Sequence, residues 1–258
     1  MLPETVSFCI SGAGFYRGTE ADSVLRWEKR RSCRSKRSRH GNFSAASQIS
    51  FNKKVPSENP PGFLSKNAKR NVKTKVIGID LAGSPANPSG FAVLSGHTFH
   101  TRLVHSDQEI VNLCLKEEPT LVAIDAPLSS PARENIRKAD TELIKRGLRV
   151  FPPTFAGMRL LTKRGIRLAK KLHSRKIWVI EIHPRTSGVI LFKTADRTKW
   201  VKKIKKMGFC FERDGSKHET DAALAALSGM LHLRKKTEVV GDMRGKIVIP
   251  LPQAALPA

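Results

Sequence analysis

The chain has 258 residues and a formal net charge of +25. This length accommodates one large domain or one domain with a tail. The positive excess favours a polyanionic partner, with nucleic acid first and a membrane surface or simple solubility as the alternatives. No run of about 18 apolar residues occurs, so we expect no transmembrane helix. The four cysteines have neither paired nor metal-ligand spacing, so we expect a reducing, cytoplasmic environment.

Residues 1–73 form the first predicted region. They lack a hydrophobic period, contain the basic, serine-rich run KRRSCRSKRSR at 29–39, and carry +10 of the net charge. Such a segment buries too little apolar area to offset its ordering entropy, so we predict a disordered basic N-terminal extension. Two interpretations stay open, an arm that contacts phosphates and an extension without a role. Residues 74–258 are then the folded domain.

Residues 74–258 alternate between strand and helix patterns. Apolar, β-branched runs predict strands at 76–81, 91–94, 98–105, 120–125 and 176–182. Helical patterns occupy 107–116, 133–146, 158–173, 184–192, 195–207 and 217–233. Asp107 is the predicted N-cap of the first helix. A final hairpin is expected at 237–240 and 246–249. This order predicts the α/β class with a mixed sheet.

Two carboxylates follow buried strands directly. Asp80 ends the first strand, Asp125 ends the strand at 120–125, and turn residues follow both. If the strands are neighbours, the side chains lie about 5 Å apart at one rim. Adjacent carboxylates repel each other unless a proton or a cation lies between them, and Mg²⁺ or Mn²⁺ suits their oxygens. The alternative is that each Asp merely starts a turn.

A third carboxylate lies in the segment KHETDAALA, where His218 and Asp221 are three residues apart and share a helix face. The residues after Asp221 are small, so this end of the helix can lie close to a sheet rim. The alternative is that Glu219 and Asp221 only complement the positive N-terminus of the helix.

The segments VIGIDLAGS, VAIDAP, IEIHPRTS and KHETDAALAAL, in this order, resemble the domain of unknown function family 429. Its members are described as predicted nucleases with an RNase H-like fold. The resemblance covers roughly residues 75–250 and implies an RNase H-like mixed five-stranded sheet flanked by helices. The set is also similar to RuvC-type Holliday-junction resolvases, in which a first-strand Asp, a fourth-strand acid and a His-x-x-Asp hold two magnesium ions.

The resemblance implies a metal-dependent nuclease in which Mg²⁺ or Mn²⁺ is bound by Asp80, Asp125, Asp221 and Glu181, with His218 as a further catalytic residue. Asp125 differs from the Glu that is usual in RuvC-type enzymes. Glu181 has two alternative interpretations, as a buried partner of Arg185 or as a hydrogen-bonded partner of His183.

Basic side chains on the predicted helices are candidates for holding nucleic acid, with solvated helix faces as the alternative. They are Arg159, Lys163, Arg167, Arg185, Lys202 and Lys206. Two other functions stay open. The first is a non-catalytic nucleic-acid-binding RNase H-like protein. The second is an actin-like-fold phosphotransferase, which the short folded region and the lack of a late Gly-Gly loop disfavour.

Overall fold

The computed structural model describes residues 74–131 and 136–252, so the predicted extension at 1–73 lies outside the described residues. The strands are β1 Lys75–Asp80, β2 Ser89–Ser95, β3 Thr98–Val104, β4 Leu121–Asp125, β5 Val179–Glu181, β6 Cys210–Phe211, β7 Thr237–Asp242 and β8 Gly245–Pro250. The helices are α1 Asp107–Glu117, α2 Lys138–Lys145, α3 Arg159–His173, α4 Pro184–Phe192, α5 Arg197–Lys206 and α6 Lys217–Leu233. Within the described part of the chain, no helix is long and apolar enough to cross a bilayer.

The central sheet has the strand order β5-β4-β1-β2-β3-β6. β1, β2 and β3 form an antiparallel meander, whereas β4 is parallel to β1 and β5 is parallel to β4. The predicted α/β class with a mixed sheet is therefore confirmed. The predicted count of five strands is one short, because β6 adds a sixth strand parallel to β3. β6 has only two residues, too few to show a period in the sequence.

The C-terminal hairpin is also confirmed and consists of β7 and β8. Its apolar side packs on α2 through Leu143, Val240 and Ile247. A single parallel bridge joins Ile182, just after β5, to Val248. This bridge connects the hairpin to the edge of the central sheet next to β5.

The residues of β1 alternate between the two faces of the sheet, as expected for a strand that is covered on both sides. Val76 packs in a cluster with the apolar residues of α6, while Ile77 and Ile79 pack on the other face with α1 and α3. The period of two places Asp80 on the α6 face. The same alternation in β4 places Asp125 there too.

Helix α6 lies unusually close to this face because glycines line its path. A Cβ added to Gly78 in β1 would lie 2.0 Å from the Ala222 carbonyl oxygen and 2.3 Å from the Ala226 nitrogen. A Cβ on Gly90 in β2 would lie 2.0 Å from the His218 carbonyl oxygen. The absence of side chains at these positions, with alanines facing them, brings the first turn of α6 against the rim where β1 ends.

The opposite face is anchored by a fully buried arginine. Arg164 of α3 donates from Nε to Asp107 Oδ1 at 2.7 Å and from Nη1 to the Ala82 carbonyl at 2.7 Å. A third bond reaches the His105 carbonyl. Arg164 thus fixes the loop that follows Asp80 against the start of α1. Because Arg164 is buried, it is not available to bind nucleic acid as the exposed basic residues of α3 are.

Three predicted element ends were wrong. Asp107 is not the N-cap of α1, since Ser106 accepts from the Glu109 nitrogen and Asp107 pairs with Arg164 instead. The helix predicted at 133–146 starts only at Lys138, because the residue before it is extended; residues 132–135 lie outside the described part. The strand predicted at 176–182 is only β5. Lys176 has φ +61° and the Ile177 nitrogen donates back to Leu172, so both belong to the end of α3.

A carboxylate cluster at the ends of the central strands

Asp80 and Asp125 are direct partners across the parallel pair β1 and β4. The two strands are therefore neighbours, which is the condition under which their carboxylates were expected to lie close together. Adjacent strands lie about 4.8 Å apart, and in-register partners point to the same face. Both carboxylates thus leave the same rim of the sheet, beneath the first turn of α6.

Helix α6 adds two side chains to this rim. Its N-cap is Ser216, and Glu219 closes a capping box by accepting from the Ser216 nitrogen at 2.8 Å. Glu219 therefore serves the helix N-terminus, as one interpretation of the motif proposed. His218 instead faces the sheet, and its Nδ1 lies 2.7 Å from Asp80 Oδ2. The His218 side chain remains about one third exposed to solvent.

Asp221, one turn later on α6, is buried and held by an arginine that the sequence analysis did not select. Arg197, the first residue of α5, donates from Nε to Oδ1 at 2.7 Å and from Nη2 to Oδ2 at 2.6 Å. This is a two-point pair of the kind that fits guanidinium to carboxylate. The hydrogen bonds to Asp221 raise the pKa of Arg197, and the charges of Asp221, Asp80 and Asp125 add smaller effects in the same direction.

The carboxylates of Asp80, Asp125 and Asp221, here called the carboxylate cluster, lie close enough for the charge of Asp221 to act on the other two. Burial, followed by the charges of Asp80 and Asp221, raises the pKa of Asp125 well above its usual range. Burial also raises the pKa of Asp80, against the opposing hydrogen bond from His218. Among described residues, the Asp125 side chain has no hydrogen-bond or ion-pair partner. Asp125 is partly exposed, and its raised pKa shows that its surroundings favour a proton or a nearby cation.

Glu181, the fourth predicted ligand, has other partners. Arg137 donates to both of its oxygens at 2.7 and 2.8 Å, and the Leu128 nitrogen donates to Oε2 at 2.7 Å. Arg137 also binds Asp140, and all three charged side chains are nearly inaccessible to solvent. Metal binding by Glu181 would break this buried network. The negative charge of Glu181 acts on the cluster at a distance and contributes to the raised pKa of Asp125.

Both alternative partners of Glu181 were wrong. Arg185 is exposed, and the buried arginine beside Glu181 is Arg137. His183 does not pair with Glu181 either, since its Nδ1 lies 2.6 Å from Thr186 Oγ1 inside the first turn of α4. Burial, with a smaller effect of Arg185, lowers the pKa of His183 to about 4, so this ring is neutral near pH 7.

The predicted nucleic-acid contacts are exposed but divided among three helices. Arg159, Lys163 and Arg167 lie on α3, and Arg185 lies on α4. Lys202 and Lys206 lie on α5. Arg167 is partly engaged by Asp107, with Nη2 to Oδ2 at 3.3 Å. Their contact with nucleic acid stays a prediction.

The donor chemistry of the cluster fits a hard divalent cation, with one condition. As the side chains stand, no three His, Cys, Asp or Glu residues between 74 and 131 or 136 and 252 are arranged to hold a metal ion. Asp125 is unpartnered, and only Oδ2 of Asp80 is bonded, to His218. Both oxygens of Asp221, however, are bonded to Arg197. Each of these oxygens keeps a second lone pair, so a shared ion could bind beside Arg197, but it would have to overcome repulsion by the guanidinium.

Sequence reasoning missed Arg197 and Arg137 for the same reason. Each lies within a run that contains other basic residues, and no spacing distinguishes it from a solvated neighbour. A search for arginines able to reach the predicted acids would still have needed the positions of α5 and of the loop before α2. These positions depend on tertiary packing.

Comparison with known proteins places the chain in one family. The model of the family described as "Protein of unknown function (DUF429)" matches residues 78–208, just over half of the chain. This span contains Asp80, Asp125 and Glu181 and ends before α6. No curated protein matches the chain.

Several solved structures resemble it, and two of them are RuvC structures. They are T. thermophilus RuvC in complex with Holliday junction substrate, 15% identical, and a Thermus thermophilus RuvC structure, 13% identical. Each match has a TM-score of 0.39 and covers 63% of this chain and 96% of the RuvC chain. The assignment of the fold rests on the strand order described above.

Proposed function

We propose that this chain, which belongs to the DUF429 family of proteins of unknown function, is a metal-dependent nuclease that hydrolyses phosphodiester bonds of nucleic acid. The observation that carries the proposal is the state of Asp125. Its carboxylate has no partner among described residues, and the charges of Asp80 and Asp221 act on it. Strongly perturbed acids gathered at one rim are typical of functional sites, since a purely structural role would favour pairing them.

Asp80, Asp125 and Asp221 are the residues that would hold Mg²⁺ or Mn²⁺. Their oxygens are the hard ligands that these ions prefer. When bound, the metal would supply charge stabilisation for the phosphate in the transition state. Glu181 is left out of the ligand set, because Arg137 and Glu181 are buried together, whereas the arginine that holds Asp221 is partly exposed and can adjust to a metal.

His218 has a role of its own in this proposal. In this role Nδ1 donates its hydrogen bond to the Asp80 carboxylate, which leaves the other ring nitrogen as the acceptor. The ring is partly exposed, and water can therefore reach it. His218 then accepts a proton from the water that attacks the phosphate, which is the work of a general base.

A second candidate is a non-catalytic nucleic-acid-binding protein. The pairing of Arg197 with Asp221 favours it, because the guanidinium already supplies a positive charge to the carboxylate cluster. In that case the acids and Arg197 form a structural network, and the net charge of +25 alone attracts nucleic acid.

Cleavage assays separate the two candidates. The purified chain is incubated with Mg²⁺ or Mn²⁺ and labelled branched DNA, duplex DNA, RNA–DNA hybrid or single-stranded RNA. The nuclease proposal expects cleavage that Asp80→Asn and Asp125→Asn abolish. Asp242→Asn, which changes an acid in the hairpin, is the matched control and should retain cleavage.

Cleavage that survives both cluster substitutions would come from a contaminant and would refute the catalytic assignment. Calorimetric titration with Mn²⁺ distinguishes the two candidate functions in a second way. A binding site that is lost in Asp80→Asn supports the nuclease, whereas a wild-type chain without any site supports the non-catalytic candidate.

A further inference from the structure

A cavity of about 450 Å³ lies beside the carboxylate cluster, between α5, β6 and the start of α6. Five basic side chains line it, and together they define what we call the basic cavity: Arg197, Lys202, Lys205, Arg213 and Lys217. Arg213 and Lys217 flank the start of α6 and were not among the residues selected from sequence. A volume of this size lies within the range of roughly 300–1,000 Å³ that is typical of ligand sites.

The charge of the basic cavity is only partly neutralised from within. Two acids line it, Glu219 and Asp214. Glu219 is committed to Arg213 and to the cap of α6. Asp214 is almost fully exposed and lies 3.8 Å from Lys205, a surface pair that adds little. Among the described residues, neither Lys202 nor Lys217 has an acidic partner. The balance favours an anionic ligand.

The backbone contributes to the same field. The first turns of α5 and α6 both border the basic cavity, through Thr198 and Thr220. The N-terminus of a helix carries a partial positive charge, and here two such ends converge. This convergence adds to the lysines and arginines rather than forming a site without them.

One wall of the basic cavity is aromatic. Phe211 stacks on Phe99 with ring centroids 4.9 Å apart, and Lys205 Nζ lies 6.0 Å from its centroid. Phe211 is only partly buried, so some of its ring faces the cavity. Lysines beside an aromatic ring are the combination that binds the phosphates and the bases of a single strand.

Arg197 connects the basic cavity to the carboxylate cluster, since it lines the former and binds Asp221 of the latter. We propose that the basic cavity binds the phosphodiester backbone of one nucleic-acid strand and leads it to the carboxylate cluster. The delivery of the strand to the carboxylate cluster rests on the proposed nuclease function. The binding of the strand does not, and it is tested without cleavage.

The test measures the affinity of the full chain for a labelled single strand of about 16 nucleotides, as DNA and as RNA, with EDTA present to prevent cleavage. The variant Lys202→Gln/Lys205→Gln/Lys217→Gln removes three exposed charges from the basic cavity. Lys116→Gln/Lys138→Gln/Lys145→Gln removes three exposed charges elsewhere and is the matched control. Thermal melting of both variants checks that they remain folded.

We expect the cavity variant to bind at least about tenfold more weakly, and the slope of log affinity against log salt to fall by about 2, since each lost phosphate contact removes about 0.7. The control should bind within about threefold of wild type. Equal weakening in both variants would show a general charge effect and overturn the proposal, as would wild-type affinity in the cavity variant.

A competition arm distinguishes a strand from a small anion. Unlabelled oligonucleotide should displace the probe at far lower phosphate concentration than inorganic phosphate or a nucleoside monophosphate. Equal potency per phosphate would make the basic cavity a small-anion site and overturn the strand proposal. Failure of the cleavage assays with retained cavity-dependent binding would refute only the nuclease proposal.

Discussion

Arg197 binds both oxygens of Asp221, with Nε–Oδ1 and Nη2–Oδ2 distances of 2.7 and 2.6 Å. The arginine comes from α5 and the carboxylate from α6, so the pair joins two helices at the carboxylate cluster. Each oxygen keeps a second lone pair, so the guanidinium does not block a cation sterically, but its positive charge opposes one. In the proposed nuclease, the ion pair would therefore weaken the binding of a metal at the cluster.

The first prediction concerns this repulsion. Arg197→Gln should increase the affinity for Mn²⁺ by about tenfold, or about 1.4 kcal/mol, because it removes a positive charge that repels the metal. Calorimetric titration measures the change. Lys199→Gln on the same helix removes one charge without touching the carboxylate cluster and should leave the affinity within about twofold. An unchanged or weaker affinity in Arg197→Gln would contradict the repulsion.

The second prediction concerns Asp125 and pH. Because the pKa of this carboxyl is raised in the folded state, the folded chain holds its proton to higher pH than the unfolded chain does. The wild type should therefore lose stability as pH rises from about 4, its usual range, through the raised value. Asp125→Asn should remove that loss and stabilise the metal-free chain near pH 7 by about 1–2 kcal/mol.

Urea unfolding of the two proteins between pH 5 and 8, with EDTA present, measures this difference. Asp214→Asn is the control, since that side chain is almost fully exposed and should change stability by less than about 0.5 kcal/mol. Addition of Mn²⁺ should stabilise the wild type but not Asp125→Asn. A variant less stable than wild type at pH 8 would show that Asp125 has a partner in solution.

The third prediction concerns the close approach of α6 to the sheet. Gly78→Ala would place a Cβ within 2.3 Å of two backbone atoms of α6, which cannot move as a flexible side chain does. We expect a loss of about 3 kcal/mol or more, at the upper end of overpacking effects. Gly157→Ala is the matched control, because its Cβ would meet only the Phe155 ring at 3.8 Å. Thermal unfolding checks both, and equal melting temperatures would contradict the packing argument.

The fourth prediction concerns the buried network behind the cluster. Arg137→Gln leaves the buried Glu181 and Asp140 without their cation, so the free energy of unfolding should fall by about 3–5 kcal/mol. Arg146→Gln breaks an ion pair with Glu238 in which both side chains are well exposed. It should cost no more than about 1 kcal/mol. Chemical denaturation measures the free energy of unfolding of both variants. Similar losses of stability would contradict the argument from burial.

Most of the fold could be predicted from the sequence because its strands and helices carry strong local signals. The apolar runs that end in Asp80 and Asp125 have the composition of strands buried on both faces. The predicted bounds of the last helix match α6 from Lys217 to Leu233, since Ser216 and Glu219 form a recognisable capping box. The two-residue strand β6 and the late start of α2 were not predicted, because they depend on contacts with distant residues.

The acids of the candidate site could also be named in advance, since chemistry at the ends of α/β strands follows from local pattern and topology. Their partners could not. Arg197 and Arg137 look like any other basic residue along the chain, and only the packing of α5 on α6, and of the loop before α2 on β5, brings them to Asp221 and Glu181. Residue type and local spacing set where negative charge collects. Which positive charge reaches it is a long-range property, because ion pairs form between side chains that the folded chain brings within a few ångströms.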